Sequence, residues 1–301
     1  MERSLLLPAC LAFIGNVQAQ APPLFHWPLD EASGAVAIDI RGGQHGSLQG
    51  GVVWAPEDGH HQGAARFDGV NDRILLGACD ITSGGPGFSI SMWVKPDFVT
   101  GMERTLAIKA IGPNAADHIW SLAFVNATAL RFRLRTGGSA MELLSPPGTL
   151  FSGIWYHVVA SYTGAQMRIH VNGALMASTS AAGAQGFHPQ APASIGATPS
   201  GTAPFSGWID DVRIYDHGLS DGEITDLLFE TLSTAVQEER EDTPWPWDAH
   251  AVLELWDLDG RLIREVRADL LMAGMPDAGP RLVVVRYPTA QGLQTRRMLL
   301  Q

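Results

Sequence analysis

The sequence predicts an all-β chain, a large β-sandwich followed by a second, smaller β unit near the C-terminus. Three observations carry this. Short runs rich in β-branched and aromatic residues recur between turn-forming clusters over most of the chain. Thirty-three glycines and nineteen prolines supply the turns. No helical periodicity of useful length appears before Leu219. With 301 residues, 46% of them hydrophobic, there is enough apolar material for a large core and one or two domains.

Residues 1–19 read as a signal peptide: Arg3, an apolar run from Leu5 to Val17, then the small-residue cleavage site Val17-Gln18-Ala19. Export follows, to a secreted or outer-surface location. The run is too short to cross a bilayer, which takes about 20 residues, and no later stretch approaches that length. Cleavage after Ala19 removes Cys10 and leaves the mature chain with Cys79 alone, so no intramolecular disulfide is expected.

Residues 20–230 carry the sandwich pattern. In Phe88–Pro96, Phe88, Ile90, Met92 and Val94 share one face while Ser89, Ser91, Trp93 and Lys95 share the other. That alternation predicts one face in a core and the other at least partly wet. Leu130–Arg135 alternates in the same way, and Asn172-Gly173 between two apolar runs predicts a tight hairpin. Phe205–Tyr215 reads FSGWIDDVRIY. Its Ile209, Val212 and Ile214 suit an extended strand, and Gly207 permits a close backbone approach. Successive strand residues face opposite ways, so one of Asp210 and Asp211 points inward or at a neighbouring loop. An ionised group there needs a cation, donors or water, and a bound calcium would meet the need.

Residues 231–248 read as a linker, with the charge run Gln237–Asp242 and then Pro244-Trp245-Pro246-Trp247. Residues 249–301 form the second β unit. Val252–Leu258 and Leu262–Val266 flank the hairpin dipeptide Asp259-Gly260, and Leu282–Tyr287 and Thr295–Leu300 supply later strands. Asp257–Gly260 lacks the remaining ligand positions of an EF-hand and reads as a turn.

Six blocks in order, HWPLDEASG from His26, DIRGGQHGSLQGG from Asp39, AARFDGVNDRILL from Ala64, FSISMWVKP from Phe88, WYHVVASY from Trp155 and MRIHVNGAL from Met167, precede the FSGWIDDVRIY segment. Together they resemble the laminin G-like, concanavalin A-like jelly-roll family across residues 24–229. The resemblance implies a structural calcium tying the first strand region to the last, with Asp30, Asp39, Asp210 and Asp211 in the ligand positions and Asp68 as a second candidate. The competing reading makes these aspartates acceptors of backbone hydrogen bonds in turns. The C-terminal unit, through LWDLDGRL and TRRMLL, resembles the C-terminal sorting domain of the type IX secretion system of Bacteroidota, which implies that secretion machinery as a partner. Met275–Pro280 and Pro244-Trp245-Pro246 depart from that family's pattern.

A formal net charge of −11 with 17% charged residues argues against nucleic acid and anionic membranes as partners. Sugar binding needs exposed aromatic rings beside hydrogen-bonding groups. Trp93, on the face of the serines and Lys95, and Trp120, in a less patterned stretch that reads as a loop, are the candidates. Core packing is the competing reading for Trp93 and Trp155. Catalysis finds little support: no Glu-x-Asp-x-Glu array, nucleophile elbow or paired-cysteine motif occurs, and adjacent His60 and His61 would point apart in an extended chain and read as a loop. The expected function is therefore a secreted or cell-surface, calcium-dependent binding module for carbohydrate or extracellular protein ligands. A purely structural sandwich is the alternative, favoured if the outer sheet face lacks exposed tryptophan. A glycosidase would need a facing pair of carboxylates.

Overall fold

The computed structural model describes residues 21–81, 87–97, 101–126, 128–238, 252–256, 262–267, 281–289 and 292–300. The signal peptide, residues 239–248 of the expected linker and Asp259-Gly260 lie outside the described residues. The chain divides into two units, Met1–Ile224 and Thr225–Gln301.

The first unit is a sandwich of two eight-stranded sheets whose neighbours pair antiparallel, the jelly-roll class that the resemblance implies. The first sheet runs β14 (Ala174–Ser180), β13 (Gln166–Val171), β12 (Tyr156–Tyr162), β7 (Phe88–Pro96), β16 (Ser206–Tyr215), β5 (Ala64–Asp68), β4 (Val53–Ala55), with β1 (Phe25–Trp27) also paired to β16. The second runs β11 (Ser139–Leu144), β10 (Ala129–Thr136), β9 (His118–Val125), β8 (Arg104–Ala110), β15 (Ala193–Ile195), β6 (Arg73–Gly77), β3 (Gly46–Gln49), β2 (Val36–Ala37).

The inner faces supply the core. Phe88, Ile90, Met92 and Val94 of β7, Val158 and Ala160 of β12, and Ile209, Val212 and Ile214 of β16 are buried together with Trp27, Phe67, Trp120, Phe132 and Phe205. Phe88 lies against Trp120 with ring centroids 5.4 Å apart, bridging the two sheets. The hairpin prediction holds: Asn172 and Gly173 take φ of 49° and 79° between β13 and β14. So does the close approach at Gly207, where φ is +143° and a Cβ would lie 2.3 Å from the Lys95 carbonyl oxygen.

The outer face of the first sheet was expected to be at least partly wet, and Lys95 and Trp208 are partly exposed there. Ser89, Ser91, Trp93, His157, Ser161 and His170 point away from the core and are nonetheless buried. Two segments distant in sequence cover part of them. The His60 ring stacks on Trp93, centroids 3.3 Å apart. The Ser89 hydroxyl donates to the His217 carbonyl at 2.8 Å and accepts from the Leu219 N–H at 2.9 Å, drawing in the approach to α1 (Asp221–Glu238). That helix opens with a capping box: the Glu223 N–H donates to Ser220 Oγ at 3.3 Å, and the Ser220 N–H donates to Glu223 Oε2 at 2.8 Å. It continues to Glu238.

The second unit contains a four-stranded antiparallel sheet in the order β18 (Leu262–Arg267), β17 (Val252–Trp256), β19 (Arg281–Thr289), β20 (Gly292–Leu300). Among the described residues, no helix is long and apolar enough to cross a membrane.

Candidate functional site

β16 organises two neighbouring features. Along one edge it pairs with β5 as far as Ile209 and with β1 from Val212 onward. Along the other it pairs with β7 across a bulge between Asp210 and Arg213. Asp210 and Asp211 therefore occupy a seam where the ladder changes partner. The bulge breaks the strict alternation, and Asp211 takes φ of 50°, a left-handed conformation that Asp tolerates better than most residues. Its N–H donates to the Pro28 carbonyl at 3.2 Å.

Each carboxylate in the seam has a different environment. Asp211 Oδ1 lies 2.6 Å from His26 Nε2 and accepts from Arg213 Nε at 3.0 Å, while Oδ2 lies 3.0 Å from Arg213 Nη2. Burial pushes the Asp211 carboxyl up, but the His26 hydrogen bond and the Arg213 guanidinium overcome it and hold it at about 2. Asp210 is fully buried; its Oδ2 accepts from the His61 N–H at 2.8 Å and its Oδ1 has no hydrogen-bond partner. Burial pushes it up to about 8, with the negative charges of Asp211 and Asp30 adding to the rise against the His61 hydrogen bond. Asp30 accepts from the Gly63 N–H at 2.8 Å and is raised by burial and then by Asp211.

The structure brings Asp30, Asp210 and Asp211 together and leaves Asp39 and Asp68 apart. Asp39 accepts four backbone N–H groups, from His26, Arg41, Gly42 and Gln44, at 2.9–3.0 Å. Burial raises its carboxyl, and those four donors bring it below the usual range. It is the knot of a turn. Asp68 likewise caps its own turn, accepting from the Val70 N–H at 2.8 Å.

Calcium needs six to eight oxygens. In the seam both Asp211 oxygens are taken by His26 and Arg213, whose guanidinium already supplies the countercharge. One oxygen of Asp30 and one of Asp210 accept backbone N–H groups. Among the described residues no group of three or more His, Cys, Asp or Glu gathers closely enough to hold a metal ion. With no such group and both Asp211 oxygens engaged, the donor set among the described residues does not fit a calcium cage.

The tryptophans sort by burial. Trp120, expected on a loop, lies in β9 and is 1% exposed against Phe88, because β9 extends back to His118 and turns its ring inward. Trp93 stands on the outer face but is 5% exposed under His60. The loop reading of His60 and His61 agrees with the structure: the chain is turned rather than extended there, and their rings meet edge to face at 4.4 Å.

Among the described residues Trp155 and Trp208 are the partly exposed tryptophans, and they stand by the Pro96 end of β7. Register places Trp208 between Lys95 on β7 and Arg66 on β5. Lys95 Nζ lies 4.5 Å from the Trp208 ring centroid and 5.9 Å from that of Trp155. Arg66 lies 4.3 Å over Trp208 and is paired with Asp97, which also accepts from Ser206 Oγ at 2.8 Å. Phe151 and Ile154, both more than half exposed, precede Trp155. Lys95 was legible on the outer face from alternation, but the long-range register joining it to Trp208 and Arg66 was not.

A family model described as the concanavalin A-like lectin/glucanases superfamily matches residues 68–225, just over half of the chain. No curated protein matches. Among solved structures, domain 4 of AbnA, a GH43 extracellular arabinanase from Geobacillus stearothermophilus in complex with arabinotriose, is 22% identical with a TM-score of 0.50, covering 69% of this chain and 98% of that one. A Trypanosoma rangeli sialidase in complex with sialic acid is 18% identical with a TM-score of 0.52, covering 69% of this chain and 33% of that one. The receptor binding domain of botulinum neurotoxin C/D mosaic serotype is 13% identical with a TM-score of 0.53, covering 92% and 72%. At these identities the likeness is one of fold.

Proposed function

The chain belongs to the concanavalin A-like lectin/glucanase superfamily, and on that premise we propose that its sandwich is an exported carbohydrate-binding module. The observation that carries the reading is the platform at the Pro96 end of β7: two partly exposed indoles, Trp155 and Trp208, with Lys95 between them. Sugars present apolar C–H faces rimmed by hydroxyls, so an indole beside a hydrogen-bond donor matches them in both respects. A sandwich serving only as a spacer has no need to leave such a pair partly uncovered where Trp93 beside it is closed over by His60.

Two solved relatives of the fold support ligand binding: the arabinanase domain was solved with arabinotriose, and the toxin domain is a receptor binding domain. Export rests on the leader-like residues 1–19. The C-terminal β unit, through its likeness to a type IX sorting domain, is the element we assign to secretion. The reading requires no calcium, because His26 and Arg213 already hold Asp211.

Screening the purified protein on an array of neutral and acidic oligosaccharides tests it. Binding to at least one glycan class, lost in the Trp155→Ala/Trp208→Ala double variant with an unchanged unfolding midpoint, supports the module. Silence across the array favours the spacer.

A further inference from the structure

We propose that the Trp155, Lys95 and Trp208 platform takes a sugar bearing a carboxylate, a hexuronic acid residue within a polysaccharide. This rests on the carbohydrate reading above and narrows its ligand class.

Charge on one small surface decides the ligand class. Two cations stand at Trp208, and they are differently placed. Arg66 is committed: it pairs with Asp97 and donates to the carbonyls of Phe67 and Gly207. Lys95 has no such partner; among the described residues no carboxylate or other acceptor takes its ammonium, and its contacts are the two indole rings. A cation over an aromatic face keeps its N–H donors available, and the ring attraction is weak beside a charge-assisted hydrogen bond to a carboxylate. The platform therefore carries one uncompensated positive charge, set between two apolar rings.

The rest of the molecule sharpens the point. A formal net charge of −11 gives anions no general attraction, so a preference for an acidic ligand has to come from a local group. A hexuronate presents both required surfaces in one residue, a C–H face for an indole and a carboxylate for Lys95. Neutral sugars satisfy only the first. An acidic peptide satisfies the second and leaves the indoles without a matched flat face.

The test is titration calorimetry of the full chain at low salt with an oligogalacturonate trimer and with its fully methyl-esterified form, a neutral isostere. The acid is expected to bind at least about tenfold more tightly, as one charge-assisted hydrogen bond supplies. Lys95→Gln abolishes that preference, and rising salt narrows it. Arg168→Gln, a cation of the same sheet outside the platform, leaves it intact. Equal affinity for acid and ester, or a preference that survives Lys95→Gln, overturns the proposal while the carbohydrate reading stands. Binding of neither trimer nor any other sugar overturns both. Oligoglutamate binding as tightly as the trimer overturns the sugar class.

Discussion

His26 Nε2 lies 2.6 Å from Asp211 Oδ1, so a side chain of β1 is joined to the final strand of the sandwich 185 residues later. Both side chains are largely shielded, at 14% and 13% exposure, and Arg213 holds the other face of the same carboxylate. Removing one partner of a shielded charge pair leaves the rest uncompensated. Asp211→Asn keeps the tolerance for positive φ, deletes the charge and turns one acceptor oxygen into a donor that faces His26 or Arg213. It is expected to cost about 3 kcal/mol in denaturant unfolding, against under about 0.5 kcal/mol for an exposed aspartate such as Asp58.

Asp210 gives the seam a pH dependence of defined sign. Its carboxyl is at about 8 in the fold and near 3.8 in the unfolded chain. Between those values the folded protein holds a proton that the unfolded chain has released, so stability is fully present below about pH 4 and declines as pH rises through 8, by at most about 1.4 kcal/mol per unit. Asp210→Asn mimics the protonated group and should flatten the decline. A wild-type unfolding free energy constant from pH 5 to 8.5 would contradict the assignment.

Gly207 is irreplaceable for two reasons that act together: its φ of +143° and a Cβ position 2.3 Å from the Lys95 carbonyl oxygen. Gly207→Ala should lower stability by about 2–4 kcal/mol, because the obstructing atom is backbone and cannot swing aside. Since Lys95 forms the platform, glycan affinity should fall in the same variant.

Trp120 and Trp208 separate packing from binding. Trp120→Phe thins the core beside Phe88 and should cost about 1–3 kcal/mol with glycan affinity unchanged. Trp208→Phe should keep the unfolding midpoint within a few degrees and weaken binding several-fold.

Calcium provides a fifth discrimination. With Asp211 already held by His26 and Arg213, the unfolding midpoint should be the same in excess calcium and in chelator. A calcium-dependent rise would mean that Arg213 gives up Asp211 to the metal.

How much of this was legible follows the range of the interactions. The alternation of Phe88–Pro96, the Asn172-Gly173 hairpin and the approach at Gly207 are local properties, and the strands carry them as expected. Strict alternation failed at Asp210-Asp211, where a bulge opposite Ser91 and Trp93 re-aims Asp211 and recruits His26 and Arg213. The outer face was expected to be at least partly wet, as Lys95 is. His60 and the approach to α1 cover much of it, and no pattern within β7 announces segments that arrive from elsewhere. The platform was missed for the same reason: Arg66, Lys95 and Trp208 become neighbours only through the order β5, β16, β7.

The most direct test of the central claim is calorimetric titration of wild type and Trp208→Ala, each confirmed folded by its unfolding midpoint, with the tightest glycan from the array. The account predicts saturable binding by wild type at one site per chain and a loss of at least about tenfold in the variant. Equal affinity in the two proteins would contradict the platform as the binding site.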